Sequence, residues 1–260
     1  MQEEVPIVSK KDVMEGLIGL GLKKGDIVGI HASLSSFGHI RGGANTVIDA
    51  LFEILGSEGT IVMSTHSANI QEVEMSREER ELGLLWKLKI LPYDPEKTPC
   101  TTGIIPETFR KRKNVLRSKH MVHSIASTGL KAGEIITEAH DRDLGGWKKL
   151  CDLDGYILLI GVGFDRCTSM HLAEERVKLP EHIQDILTPP EWLKTKYPDG
   201  EWETDFGIYP DFKQIEPYCI KRKIMKITKI GNATIRLVKL QELLDLYVEL
   251  LRENPSLFYH

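Results

Sequence analysis

Short apolar runs and helix-period segments take turns along most of this chain, and few folds can absorb that order. "IVGIH" (27–31) and "GTIVMST" (59–65) read as buried strands, and "ANTVIDALFEIL" (44–55) between them spaces its apolar residues for a helix. "GIIPETFRKR" (103–112) opens another helix, "YILLI" (156–160) another buried strand, and "KLQELLDLYVELLREN" (239–254) a strongly periodic last helix that stops before Pro255. Strands apolar on both faces, alternating with helices, predict a sheet covered on each side. Ser9 with Asp12 three residues on predicts a capping box that opens "SKKDVMEGLIGLGL", which Gly21 closes. The charged stretch 70–93, "IQEVEMSREERELGLLWKLKILPY", reads as a helical insertion. The region from about 186 to 230 carries prolines, tryptophans and the alternating "KIMKITKI", which predicts a C-terminal antiparallel portion. The expected fold is therefore α/β, a central mixed sheet flanked by helices, with a helical insertion near 70–93 and that antiparallel portion, in one domain spanning 1–260.

Composition removes several function classes. With 260 residues, 41% of them hydrophobic, the chain can bury a substantial core. A formal net charge of -4 provides no basic field for a phosphate backbone, so no nucleic-acid partner is expected. The opening "MQEEVPIVSKK" is acidic and polar, and no apolar run approaches the roughly 18 residues of a membrane span, which predicts a cytoplasmic protein with no membrane partner. Cys100, Cys151, Cys167 and Cys219 form no C-x-x-C pair, as expected of reduced thiols rather than a zinc ribbon or a disulfide framework.

Three loops at strand ends hold the groups that could do chemistry. In "HASLSSFGHIRGGANTV" (31–47), His31 ends a strand and small or hydroxyl residues lead to a helix start, a geometry that offers backbone N–H groups to a phosphate or an amide. The order is not that of a nucleotide P-loop, and the loop could also be an ordinary glycine-rich turn. In "RSKHMVHSIASTG" (117–129), His120 and His123 have H-x-x-H spacing, but no third ligand is evident, so no metal is expected. Arg117, Ser118 and His120 could instead line a polar pocket. The third loop follows "YILLIGVGFDR", whose G-x-G lacks the third glycine of a dinucleotide fingerprint. There "TSMHLAEE" (168–175) puts Thr168 at a helix start, His171 in the first turn and Glu174 three residues on, on the same face. That pairing suits a general base oriented by a carboxylate, and equally a histidine packed under a loop beside solvated glutamates.

Taken in order, these blocks with "GTIVMSTHS", "DPEKTPCTTGIIPETFR" and "IGNATIRLVKLQELLD" resemble the aminoglycoside 3-N-acetyltransferase family over nearly the whole chain. The resemblance implies acetyl transfer from acetyl-CoA, as cosubstrate, to an amine of an aminoglycoside or related amino sugar, without a metal. It implies His171 as general base with Glu174 beside it. It also implies CoA contacts from His31, Ser33, Leu34, Ser35, Ser36, Phe37 and Gly38, and a thioester pocket completed by Thr101, Thr102, Ser118 and His120. Met121 and Ser127 stand where the family pattern has proline and alanine. Given that chemistry, backbone N–H groups or hydroxyls of Ser118, Thr101 or Thr102 are candidate donors to the tetrahedral oxyanion, and Glu203, Asp205 and Asp211 are candidate carboxylates for a cationic substrate. Two alternatives remain at this level: a ping-pong route through Cys167 or Cys100, and a CoA-binding homologue without turnover. The oligomeric state stays open between monomer and homodimer.

Overall fold

The computed structural model describes residues 7–67, 70–140 and 142–260. The first six residues of the expected 1–260 span lie outside that set. The main sheet has seven strands in the order β5-β6-β2-β1-β7-β10-β9: β1 Ile27–Ala32, β2 Thr60–Ser64, β5 Leu116–Arg117, β6 Ile125–Gly129, β7 Tyr156–Ile160, β9 Met225–Ile230 and β10 Ala233–Lys239. Its centre is parallel, with Gly29 of β1 opposite Val62 of β2 and Ile157 of β7. Antiparallel strands extend both sides, β6 and β5 beyond β2, β10 and β9 beyond β7. The central mixed sheet is thus as expected, and "KIMKITKI" does enter an antiparallel hairpin.

The strands are apolar throughout because both faces are covered. Along β7, Ile157 and Leu159 enter one core and Leu158 and Ile160 the other. The second core is closed by the helices Lys10–Leu20 and Gly43–Leu55, the first by Ala132–Glu138, Gly145–Asp152 and Leu240–Glu253. The capping box at Lys10–Leu20 is present: the Ser9 hydroxyl accepts from Asp12 N–H, the Asp12 carboxylate from Ser9 N–H at 2.7 Å, and Gly21 ends the helix at φ 106°.

The 70–93 excursion departs from expectation in kind. It contains one short helix, Arg77–Glu81, but more of its residues lie in the strands β3 Ile70–Glu72 and β4 Leu84–Ile90, which pair antiparallel with each other and, through β4, with β8 Trp202–Phe206 in a separate three-stranded sheet. In "LLWKLKI" the apolar residues at 84, 86, 88 and 90 repeat every second position, a strand period that the charged run before it obscures. Buried Lys87 reaches the carboxylate of Glu79 at 2.8 Å and the Tyr197 hydroxyl at 3.0 Å, and Lys196 binds the same carboxylate. Hydrogen bonds from Lys196, Lys87 and Tyr197 offset the burial of Glu79 and hold it well below the usual carboxylate range.

Gly29 joins the core to what lies above it. A Cβ there would stand 2.6 Å from the ring of Trp147, which is fully buried and stacks on His31 with centroids 5.2 Å apart. Gly29→Val is expected to displace Trp147 and to lower stability by roughly 1–3 kcal/mol, read from urea denaturation.

Candidate active site

The three parallel strands end at one edge of the sheet, so the loops after His31, Ser64 and Ile160 meet there. Strand β6 runs the other way and starts opposite Ser64, which brings the 118–124 loop to the same edge. Two cavities of about 900 Å³ each open at this edge. They share one wall, made by His66, Thr101, Thr102, Thr168, His171 and Tyr209.

The first cavity is lined by His31, Ser33, Leu34, Ser35 and Gly38, and by Gly43 at the start of a 13-residue helix. Two neighbours in that loop turn elsewhere. Phe37 is buried in the core, and the Ser36 hydroxyl donates to the Ser33 carbonyl at 2.6 Å. Gly161, at φ 65°, lets the first loop lie on the third, since a Cβ there would overlap the Ser36 hydroxyl at 1.7 Å. The second cavity is acidic: Asp143, Glu174, Glu175, Glu203 and Asp205 line it, with Trp86 and Tyr209. Burial raises the carboxyls of Glu203 and Asp205 above their ordinary range. Asp211 is not among its walls; its carboxylate caps a short turn through Lys213 N–H and the Gln214 amide.

His171 opens the four-residue helical turn His171–Glu174, entered through a 3₁₀ turn at Thr168–Met170; Thr168 lies in that turn and makes no side-chain cap. Its Nδ1 lies 2.9 Å from Glu174 Oε2, so the carboxylate takes the Nδ1 proton in a hydrogen bond and leaves Nε2 with the lone pair. That lone pair faces the Tyr209 hydroxyl at 3.4 Å, and Phe212 holds the ring edge-on at 4.8 Å. The dyad is partly exposed, at 24% for His171 and 23% for Glu174, on the wall between the cavities.

The third ligand-type group missing from the sequence reading of His120 and His123 is Asp143. One of its oxygens lies 2.7 Å from His120 Nε2 and 2.8 Å from His123 Nδ1, and the three groups offer atoms within 4.8 Å of one another. The hydrogen bonding does not suit a cation. His120 Nδ1 accepts the N–H groups of Val122 and His123 at 3.3 and 2.9 Å, which keeps the proton on Nε2, the nitrogen that a metal would need. Burial opposes charge on His123, but the bond to Asp143 outweighs it and raises the imidazole, while the two histidines hold Asp143 well below its usual range.

The expected oxyanion donors are mostly committed. Thr102 donates its hydroxyl to the Ser64 carbonyl at 2.7 Å and Thr101 to the His66 carbonyl at 3.2 Å. Ser118 is fully buried, outside both cavity linings, and ties its turn to Ile125 N–H at 3.0 Å. Polar atoms without a partner, among the described residues lining the first cavity, are Nε2 of His31 and of His66 and the hydroxyl of Ser64. Burial drives His31 down to about 4 and His66 to about 3, the latter with help from His123 and His31, so both stay neutral. His66, Asp143 and Tyr209 were not singled out from the sequence; only the position of His66 at a strand end could have marked it.

The sequence model of the family described as aminoglycoside 3-N-acetyltransferase matches residues 30–252. The SPbeta prophage-derived aminoglycoside N(3')-acetyltransferase-like protein YokD of Bacillus subtilis (strain 168) is 31% identical over 95% of this chain and 94% of its own length. The crystal structure of aminoglycoside acetyltransferase AAC(3)-IVa, a histidine-to-alanine mutant in complex with a gentamicin, covers 100% of this chain and 94% of its own with a TM-score of 0.76 at 24% identity. AAC-IIIb, as its binary complex with CoASH, covers 95% of this chain and 97% of its own at a TM-score of 0.73 and 22% identity. At those identities the two structures speak for the fold. Among the described residues no helix is long and apolar enough to cross a membrane.

Prolonged dialysis against EDTA is expected to leave the melting temperature unchanged, and added zinc to leave it unraised, because His120 keeps its proton on Nε2. A second expectation concerns acid. In the unfolded chain His31 and His66 titrate near 6.5 and in the fold only near 4 and 3, so the unfolded state takes up protons first and stability falls as pH drops below 6.5. His31→Gln should flatten that decline in melting scans between pH 7 and 5.

Proposed function

The chain belongs to the aminoglycoside 3-N-acetyltransferase family, and from that premise we propose that it moves the acetyl group of acetyl-CoA directly to an amine of an aminoglycoside or related amino sugar, with His171 as general base. The observation that carries this reading is the position of His171, whose Nε2 lone pair stands on the wall between a cavity lined mainly by hydroxyl, imidazole and backbone groups, with Asp165 and Arg166 as its one acid and one base, and a cavity lined by five carboxylates. The first cavity suits the cosubstrate. It is lined by hydroxyls and backbone of 31–38 and by a helix start whose partial positive charge favours phosphate. The second suits the cation, with Glu203 and Asp205 on β8 facing it.

An amine arrives as an ammonium and must lose a proton before it can attack. His171 Nε2 takes that proton, and the Nδ1–H bond to Glu174 keeps the accepting tautomer in place and stabilises the imidazolium. The amine nitrogen then bonds to the thioester carbon. The tetrahedral oxyanion collapses, the carbon–sulfur bond breaks, the leaving thiolate recovers a proton from the imidazolium, and the nitrogen's surplus proton passes to the freed His171 Nε2 and on to solvent, which leaves the neutral amide. With the Thr101 and Thr102 hydroxyls committed, the oxyanion is left to backbone N–H groups at the strand ends and to the unpartnered polar atoms of His31, His66 and Ser64 buried behind the cavity wall. A cysteine relay has less support. Cys167 reaches the first cavity, but burial pushes its thiol up to about 12, and burial raises Cys100 too.

The test is a thiol-release assay with acetyl-CoA across a panel of aminoglycosides and amino sugars. His171→Asn should lower turnover by roughly 100-fold or more. The variant should keep the thermal shift given by CoA, because the cavity for that ligand is untouched. Glu174→Gln should do less harm and move the acidic limb of the pH profile downward, since a neighbouring carboxylate favours imidazolium. Near-normal turnover in a stable His171→Asn protein would move the base elsewhere.

A further inference from the structure

One carboxylate in the site is held from two sides. Glu174 gives Oε2 to His171 Nδ1 at 2.9 Å, and its Oε1 accepts the hydroxyl of Tyr247 at 3.1 Å. Tyr247 lies in the helix Leu240–Glu253, fully buried among Leu240, Leu243, Leu244 and Leu251. A phenol in such a face has a hydroxyl that must find a partner, and the partner here is the carboxylate of the dyad. The ring is fixed as firmly as the hydroxyl. Phe212 packs edge-on against both His171, at 4.8 Å, and Tyr247, at 5.6 Å, and Phe258 closes the far side of Tyr247 at 4.6 Å. Buried Tyr259 adds a second phenol beside Glu174 and Tyr247 and lines the acidic cavity.

We infer that Tyr247 is a positioning residue for acetyl transfer: it fixes the Glu174 carboxylate in the orientation that holds the His171 tautomer, and Tyr259 supports it. This rests on the reading of His171 as general base. Glu174 sits at the end of a helical turn of only four residues and has three rotatable side-chain bonds, so the backbone alone does not aim it. The bond to Tyr247 also draws on the charge that Glu174 can offer the imidazolium. Among the described residues, the titratable groups around the dyad are Asp205 and Tyr209 on the cavity side, with Glu175, Arg142, Lys148 and His66 on the same cavity's walls, and Tyr247 and Tyr259 on the core side. Burial and the neighbouring carboxylate hold both core tyrosines far above the usual phenol range, so they act as neutral donors at every working pH.

The experiment compares wild type, Tyr247→Phe, Tyr259→Phe and His171→Asn in the full chain, by thiol release, pH profile, CoA thermal shift and melting temperature. Tyr247→Phe should lower kcat roughly tenfold, the scale of one hydrogen bond to a charged group, with KM for acetyl-CoA unchanged. Its acidic limb should move upward, because a carboxylate freed of one donor stabilises the imidazolium more. Tyr259→Phe should shift both quantities the same way by less, and it carries the test if Tyr247→Phe folds poorly. A purely structural tyrosine would lower the melting temperature and leave the acidic limb in place, and that result overturns the inference. An inactive His171→Asn beside an unshifted Tyr247→Phe would sink the positioning role alone. A fully active His171→Asn would sink the base reading and this one together.

Discussion

Register between β1 and its two parallel neighbours decides where the rest of this protein can put its polar groups. Because Val28, Gly29 and Ile30 are matched on both sides, β1, β2 and β7 run out together, and three loops distant in sequence converge within reach of one another. Close approach is enforced at two glycines. Gly29 lets Trp147 lie flat under His31, and Gly161 makes room for Ser36 where the first and third loops touch. A side chain at either place would separate the groups that the strand ends bring together.

Two electrostatic settings then coexist a few residues apart. On one side of His171, burial keeps His31 and His66 uncharged, and the charged side chains of that cavity's lining are one acid and one base, Asp165 and Arg166. On the other, five carboxylates line the wall against Arg142 and Lys148, and Asp143 is hydrogen-bonded to His123 among them. His171 and Tyr209 stand on the wall between the two.

Much of this was legible in the sequence, and the misses have physical reasons. Apolar strands, helix periods, the Ser9 capping box and the dyad in "TSMHLAEE" depend on neighbours within a few residues, which a sequence displays. Asp143 meets His120 and His123 only through folding, across 20 or more positions, and so do the 73-residue link from Tyr247 to Glu174 and the convergence of Glu203 on His123. The 70–93 stretch failed for a different cause: "EVEMSREERE" has strong helical charge pairing, which masked the two-residue alternation after it. Thr101 and Thr102 show a third kind of limit. Their place on the wall follows from the block they occupy, but whether a hydroxyl's hydrogen is spent depends on carbonyls of another segment.

The small sheet carries Glu203 and Asp205 but shares little of the large sheet's interior; it packs on its own cluster of Leu84, Leu193 and Tyr197 and on the Glu79–Lys87 pair. Under the function proposed above, recognition of the acceptor is mounted on a part whose sequence can drift with limited damage to the scaffold beneath. A lineage under pressure from a new amine could rewrite β8 while inheriting its donor machinery intact, and adaptive change in such a protein would concentrate in 70–93 and 181–211.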